Sequence, residues 1–332
     1  MKIAINGYGR IGRCIVWAIY ENGLQDDIQI VAINDLADNT ILAHLTRHDS
    51  THGAFKADVQ LSPDNNTMNI DGNDIFMLTE KDPLELPWDS LDVDIVFECT
   101  GLFKHRAQSE KHLQAGARKV LLSHPSVDAD LTVVYGVNHQ KIQPEHHIIS
   151  NASCTTNCLA PLVKVINDKV GIEQGMMTTI HAYTNDQTLV DRAHSDPYRA
   201  RSATQSMIPT MTGAAAAVGL VLPELVGKLD GVAVRVPTVN VSLVDFQFIV
   251  NHDTTRKGLN RMIKEAAMGD YKGIISYNKE ALVSIDYNHN SASSIFDSLQ
   301  TRVLGKQCKV MSWYDNEWGF SNRMLDVAKL MV

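Results

Sequence analysis

The sequence predicts an α/β domain built on a parallel sheet, followed by an α+β domain whose sheet is largely antiparallel. Three observations support this. The 332 residues exceed one typical core and fit two. In the first half, short apolar strands alternate with helical periodicity, as in a parallel sheet covered on both faces. In the second half, long strand patterns follow one another with few helices between them. The division is expected between 1–152 and 153–316, with a C-terminal helix at 317–332 returning to complete the first domain.

The elements follow in order. Lys2 to Asn6 is a short apolar strand, and Arg10 to Asn22 is a helix with Ile11, Ile15, Ala18 and Ile19 on one face, closed by Gly23. Ile28 to Asn34 is a second strand and Thr40 to Thr46 a helix. Alternating segments between Lys56 and Met77, broken at Pro63–Asn66 and at Asp71-Gly72, predict hairpins. A strand at Val93 to Cys99, a helix at Arg106 to Ala115 and a strand at Lys119 to Leu122 complete the alternation. Beyond a helix starting near Thr155, strands are expected at Met177 to Ile180, Val232 to Val236 and Val239 to Val250. Further strand-like runs lie at Ile274 to Tyr277, Leu282 to Asp286 and Lys309 to Tyr314. Helices are expected at Ala214 to Val221 and Lys257 to Met268. Tyr183 to Gln205 is polar and long, the kind of loop that serves function or a partner.

Composition narrows the function classes. The chain is 44% hydrophobic and 20% charged with net charge −8 and no block of like charge, which argues against nucleic acid or an anionic membrane as main partner. The five cysteines are few, odd in number and without a C-x-x-C pair, so a reducing compartment is expected rather than a disulfide framework. The strand that begins at Lys2 leaves no room for a secretory signal, and no apolar run approaches membrane-spanning length. A cytoplasmic location is the expectation.

Two sites stand out. Gly7, Gly9 and Gly12 form G-x-G-x-x-G directly after a strand and at the opening of a helix, the context of a Rossmann dinucleotide site. Gly7 permits the tight turn, Gly9 lets a pyrophosphate approach the backbone, and Gly12 lets the helix pack closely. Asp35 ends the second strand where a carboxylate can bind a ribose 2′-hydroxyl, which favours NAD over NADP. The second site is Cys154, after a strand and at the start of a helix, where unpaired N–H groups favour a thiolate. His181 leaves a strand beside the polar Thr184, Asn185 and Asp186, and an imidazole there can take a proton from the sulfur. Cys158, one turn further, is a packed or reserve thiol. Arg235 interrupts an apolar strand and suits either a phosphate or a salt bridge, and Thr212-Gly213 opens a helix as an anion cradle or a simple cap. No metal ligand set is present in the pattern.

Together these residues resemble the phosphorylating glyceraldehyde-3-phosphate dehydrogenase family over nearly the whole chain. The markers are Asn6 to Arg13, Ser150 to Asn157, His181 to Gln187, Thr212 to Ala215, Arg235 to Thr238 and Trp313 to Glu317. The resemblance implies that Cys154 adds to an aldehyde, that His181 acts as base while hydride passes to NAD, and that inorganic phosphate releases an acyl phosphate. It implies that Thr184, Asp186 and Arg235 hold the phosphate of a small sugar aldehyde. Ser153, Thr155, Thr212 and Gly213 would hold the attacking phosphate. Arg10, Ile11, Ser123 and Asn316 join the cofactor contacts, and the long loop implies a homotetramer. Cys99 to Gly101, Ser123 to Pro125 and Trp318 to Phe320 look more like the sister enzyme, erythrose-4-phosphate dehydrogenase, which stays as the alternative.

Overall fold

The computed structural model describes all 332 residues, which divide into two compact units. The first comprises 1–133, 139–152 and 321–332; the second comprises 134–138 and 153–320.

In the first unit, β1 (Lys2–Asn6) leads through the glycine turn into α1 (Arg10–Glu21). Then follow β2 (Gln29–Asn34), α2 (Asn39–Arg47) and a small hairpin of β3 (His48–Asp49) and β4 (Gly53–Ala54). The meander β5 (Val59–Leu61), β6 (Thr67–Ile70) and β7 (Asn73–Leu78) comes next. It is followed by β8 (Ile95–Glu98), α3 (Arg106–Gln114), β9 (Lys119–Leu122), β10 (Leu131–Thr132) and β11 (Ile148–Ser150). They form one nine-stranded sheet in the order β10-β11-β9-β8-β1-β2-β7-β6-β5. From β10 to β7 every pairing is parallel; β6 and β5 add an antiparallel edge. The order reverses direction at β1, so the carboxyl ends of β1, β2 and β8 frame the topological switch point where an open α/β sheet receives its ligand. On one face, Ala4, Val31, Ala32, Trp88, Val93 and Val96 build a buried cluster.

The second unit begins with α4 (Cys154–Val170), which runs through Pro161, and the long β12 (Ile172–Ala182). After the irregular 183–205 come β13 (Ile208–Met211), α5 (Ala214–Val221), β14 (Leu229–Val236) and β15 (Ser242–Val250). The remainder is α6 (Arg256–Met268), β16 (Ile275–Asn278), β17 (Ser294–Asp297), β18 (Arg302–Leu304), β19 (Gln307–Tyr314) and the start of α7 (Trp318–Ala328). The eight-stranded sheet runs β13-β14-β12-β15-β19-β17-β16, with β18 on β19. Most pairings are antiparallel, but β12 lies parallel to β14 and β16 to β17. α4 packs on α5, α6 and the strands β17 and β19.

One expected strand is absent. Leu282 to Asp286 alternates like a strand, yet Ser284–Tyr287 is a 3-10 turn. The Asp286 carboxylate accepts the Val283 N–H at 2.8 Å, which closes the turn. Tyr287 then drops into a cluster with Val241 and Ile295 and stacks on Trp313. A local side-chain acceptor competes with the ladder and wins.

Candidate active site

In the first unit the glycine turn has the geometry the motif predicts. Gly7 has φ +91°, and a Cβ there would lie 2.6 Å from the Thr100 nitrogen. A Cβ at Gly12 would lie 2.5 Å from the Gly7 carbonyl oxygen, so only glycine lets α1 start this close to the turn. At Gly9 a Cβ would meet nothing within 4 Å: the space before the first N–H groups of α1 is open to an anion. Asp35 accepts the Tyr8 N–H at 2.7 Å and the Ala37 N–H at 3.0 Å, which fixes its carboxylate beside the turn with lone pairs to spare. Arg10 is tied back to the buried Asp49 carboxylate, which its guanidinium holds down to about 2 against the opposing effect of burial. Ile11 follows at the opening of α1, and Ser123 donates its N–H to the Glu98 carbonyl at the carboxyl end of the sheet. These groups fit a dinucleotide: an open turn, a helix N-terminus and an acidic acceptor at a strand end.

In the second unit Cys154 is the first residue of α4, and Ser153 caps that helix by accepting the Thr156 N–H at 3.1 Å. Its Sγ lies 3.6 Å from His181 Nε2. His181 ends β12, and the parallel register of β12 with β14 sets it directly opposite Arg235. His181 Nδ1 is 2.6 Å from the Ala182 carbonyl, to which Arg235 also donates at 3.0 Å. Arg235 Nη1, which only donates, lies 2.8 Å from the same Nδ1, so an acceptor and a donor both face that nitrogen, while Nε2 faces the sulfur. Burial, reinforced by the Arg235 charge, pulls His181 down to about 3, so the ring is neutral at physiological pH.

Burial also pushes the Cys154 thiol up, while the Arg235 charge and hydrogen bonds from Thr155 pull it the other way. The resting pair is therefore a thiol beside a neutral imidazole. This differs from the standing thiolate that the helix N-terminus alone predicts: desolvation outweighs the dipole. Cys158, fully buried, is pushed up to about 12, again by burial, in keeping with a packed thiol.

The anion-binding candidates gather around this pair. Arg235 Nε is buried with no acceptor, although its neighbouring nitrogen is engaged. A guanidinium held so, on an apolar strand, is shaped for an anionic ligand. Thr184 donates through its N–H and hydroxyl to Gln187 Oε1, whose Nε2 is likewise buried without a partner. Asp186 is paired with Arg199, and both charges act on Arg235. The Thr156 hydroxyl reaches the Ala214 carbonyl at 3.5 Å, which brings the start of α5 to the first turn of α4. Gly213 precedes α5, and Thr212 accepts the Ala214 N–H at 3.2 Å. Asn316, buried, accepts the Ser242 hydroxyl at 2.9 Å, so its NH2 group is the one that can meet a carboxamide oxygen.

Sequence reasoning missed three contributors. The Tyr314 hydroxyl bridges Thr155 and Thr179, each at 2.8 Å, and its ring stands edge-on to His181. Ser242 joins the Ala182 N–H to Asn316. Arg199 anchors the long loop to Thr210 and the Met211 carbonyl. Periodicity marks Tyr314 and Ser242 only as strand positions, and Arg199 is one arginine among several in a polar stretch.

Comparison with known proteins points the same way. Residues 1–106 match the model of the glyceraldehyde 3-phosphate dehydrogenase NAD binding domain, and residues 153–316 match that of its C-terminal domain. The chain is 57% identical over 329 residues to the chromosomal glyceraldehyde-3-phosphate dehydrogenase of Cupriavidus necator, covering 99% of this chain and 97% of that one. It is 56% identical over 328 residues to the Pseudomonas aeruginosa enzyme of that name and 53% identical over 330 residues to glyceraldehyde-3-phosphate dehydrogenase 1 of Bacillus subtilis, with the same coverage.

Proposed function

The chain belongs to the glyceraldehyde-3-phosphate dehydrogenase family, and on that premise we propose that it catalyses the NAD-dependent oxidative phosphorylation of D-glyceraldehyde 3-phosphate to 1,3-bisphosphoglycerate. The observation that carries this is the 3.6 Å approach of the Cys154 sulfur to Nε2 of a neutral His181. The relatives bear the three-carbon name, so erythrose 4-phosphate is the lesser reading.

The residues divide the work as follows. The Cys154 thiol gives its proton to His181 Nε2 as its sulfur bonds to the aldehyde carbon, and that proton passes to the new alkoxide to give a hemithioacetal. Gly7, Gly9, Arg10, Ile11, Gly12, Asp35 and Ser123 would hold NAD, with the Asn316 NH2 group meeting its carboxamide, and the bound cofactor would supply the hydride acceptor. As the carbon loses hydride, its O–H proton goes to His181 Nε2, leaving a thioester on Cys154. A phosphate oxygen held by Ser153, Thr155, Thr212 and Gly213 then attacks the thioester carbon. The C–S bond breaks, acyl phosphate departs, and the sulfur recovers its proton from His181. Arg235, Thr184 and Asp186 position the substrate phosphate, and the buried Arg235 Nε supports that role. Reduction of NAD should require both the aldehyde and phosphate or arsenate. Turnover indifferent to phosphate, or a kcat/KM favouring erythrose 4-phosphate, would overturn this assignment.

We also read the protein as a cytoplasmic homotetramer. No helix is long and apolar enough to cross a membrane. Leu189, Val190, Met207 and Met211, on and after the long loop, are 70–85% exposed, an apolar surface that self-association would cover. Analytical ultracentrifugation at assay concentration decides this: a monomer would remove the tetramer.

A further inference from the structure

Behind the glycine turn lies a carboxylate that the chemistry above does not use. Glu98 is the last residue of β8 and has no exposed surface. A buried charge is costly unless its lone pairs are met. Here four donors meet them. Asn6 Nδ2 donates at 2.6 Å, the Thr100 N–H at 2.8 Å, and the Thr100 hydroxyl makes a further short bond. His112 Nε2 approaches at 3.2 Å.

The histidine is oriented in turn. Trp88 Nε1 lies 3.0 Å from His112 Nδ1, and an indole N–H can only donate. Nδ1 therefore accepts, Nε2 carries the proton, and His112 donates to Glu98 as a neutral ring. Despite burial, the donors, His112 first among them, hold the Glu98 carboxyl below its usual range.

The donors come from both sides of the nucleotide turn. Asn6 immediately precedes Gly7; Thr100 begins the loop against which Gly7 packs so closely that a Cβ would collide with it. Asn6 is also bonded to Asn34 at 2.8 Å, and Asn34 accepts the Glu80 N–H at 2.8 Å. The carboxyl ends of β1, β2 and β8 are thus tied through one network whose single charge is Glu98. We propose that Glu98 is a positioning residue for NAD: its carboxylate clamps the Gly7 turn to the Thr100 loop and so fixes the carboxyl edge of the sheet in the shape that receives the dinucleotide. This rests on reading that edge as the NAD site.

Glu98→Gln tests it, because an amide NH2 must face one of the donors and opens one side of the clamp. NAD titration of the full-length protein should give a Kd raised about ten-fold or more, the loss of one charge-assisted hydrogen bond. At saturating NAD, kcat should stay within about three-fold, since preorganisation of binding is lost and not a transition-state contact. Val120→Ala, a buried truncation in β9 outside the network, should lower the Tm and leave the Kd unchanged. An unchanged Kd in Glu98→Gln, or a kcat that falls as far as the Kd rises, overturns the proposal. Should Glu98→Gln not fold, Asn6→Ala removes the donor to Glu98 together with the acceptor for Asn34, two links of the same network; a raised Kd there supports the clamp and an unchanged one overturns it. A wild-type protein that fails to bind NAD would instead overturn the cofactor assignment itself.

Discussion

The glycine turn of the first unit and the cysteine site of the second are built in opposite ways. The turn is backbone: positive φ at Gly7, an open face at Gly9, and a helix whose first N–H groups are its ligands. Its parts lie within a short run of sequence. The cysteine site is made of side chains that lie far apart in the chain and meet through sheet register and helix packing. Cys154 begins α4, His181 ends β12, Arg235 lies opposite it on β14, and Tyr314 comes from β19. A local backbone site tolerates side-chain change around it. A site assembled by register depends on every element that sets the register.

The variants that sharpen this contrast run from the largest effect to the smallest. Cys154→Ala should abolish turnover, a loss on the order of 10⁴-fold or more for removing a nucleophile, while the NAD Kd stays at its wild-type value. A parallel loss of NAD binding, read by titration, would break the separation of the two sites.

His181→Asn should lower kcat by about 10²–10⁴-fold as general-base catalysis is lost. It should also change stability with pH, because the native ring titrates near 3 and the unfolded one at its ordinary value of 6.5. The unfolded state binds the extra proton between those values, so stability is full above 6.5 and falls as pH drops toward 3. The slope approaches about 1.4 kcal/mol per pH unit for this group. Urea denaturation at a series of acid pH values should show a shallower decline in the variant; equal slopes would mean that His181 is not held neutral.

Arg235→Gln should raise KM for the aldehyde phosphate by about 10–100-fold, the usual worth of a hydrogen bond to a charged group. An unchanged KM would leave Arg235 as support for the Ala182 carbonyl only. Asp35→Gly should cut the preference for NAD over NADP by about ten-fold, since the carboxylate both binds a ribose hydroxyl and repels a 2′-phosphate. Unchanged discrimination would remove Asp35 from the cofactor site.

The contrast also explains how much could be read in advance. Gly7, Gly9, Gly12 and Asp35 were legible because a glycine motif after a strand dictates its own geometry. Cys154 was legible as a helix start, and α4 begins at that residue. The ionisation of Cys154 was not, since a helix dipole is a local property whereas desolvation depends on what the fold stacks over the sulfur. The sequence leaves Arg235 even between a salt bridge and a phosphate ligand. Its buried, unpartnered Nε came only with the side chains around it. The expected strand at Leu282 to Asp286 is a turn instead, because alternation cannot reveal that Asp286 will close on Val283. Within the expected strand Val93 to Cys99 nothing local marks Glu98; the donors that make its burial tolerable arrive from Asn6, Thr100 and His112.

By itself, the sequence determined which residue types could do chemistry and where chain direction changes, because glycine conformation, capping and apolar period act over a few residues. Tertiary structure alone decided which of those residues touch and which of them are charged. Distances across a sheet are set by register, and ionisation is set by how much water the packed neighbours exclude.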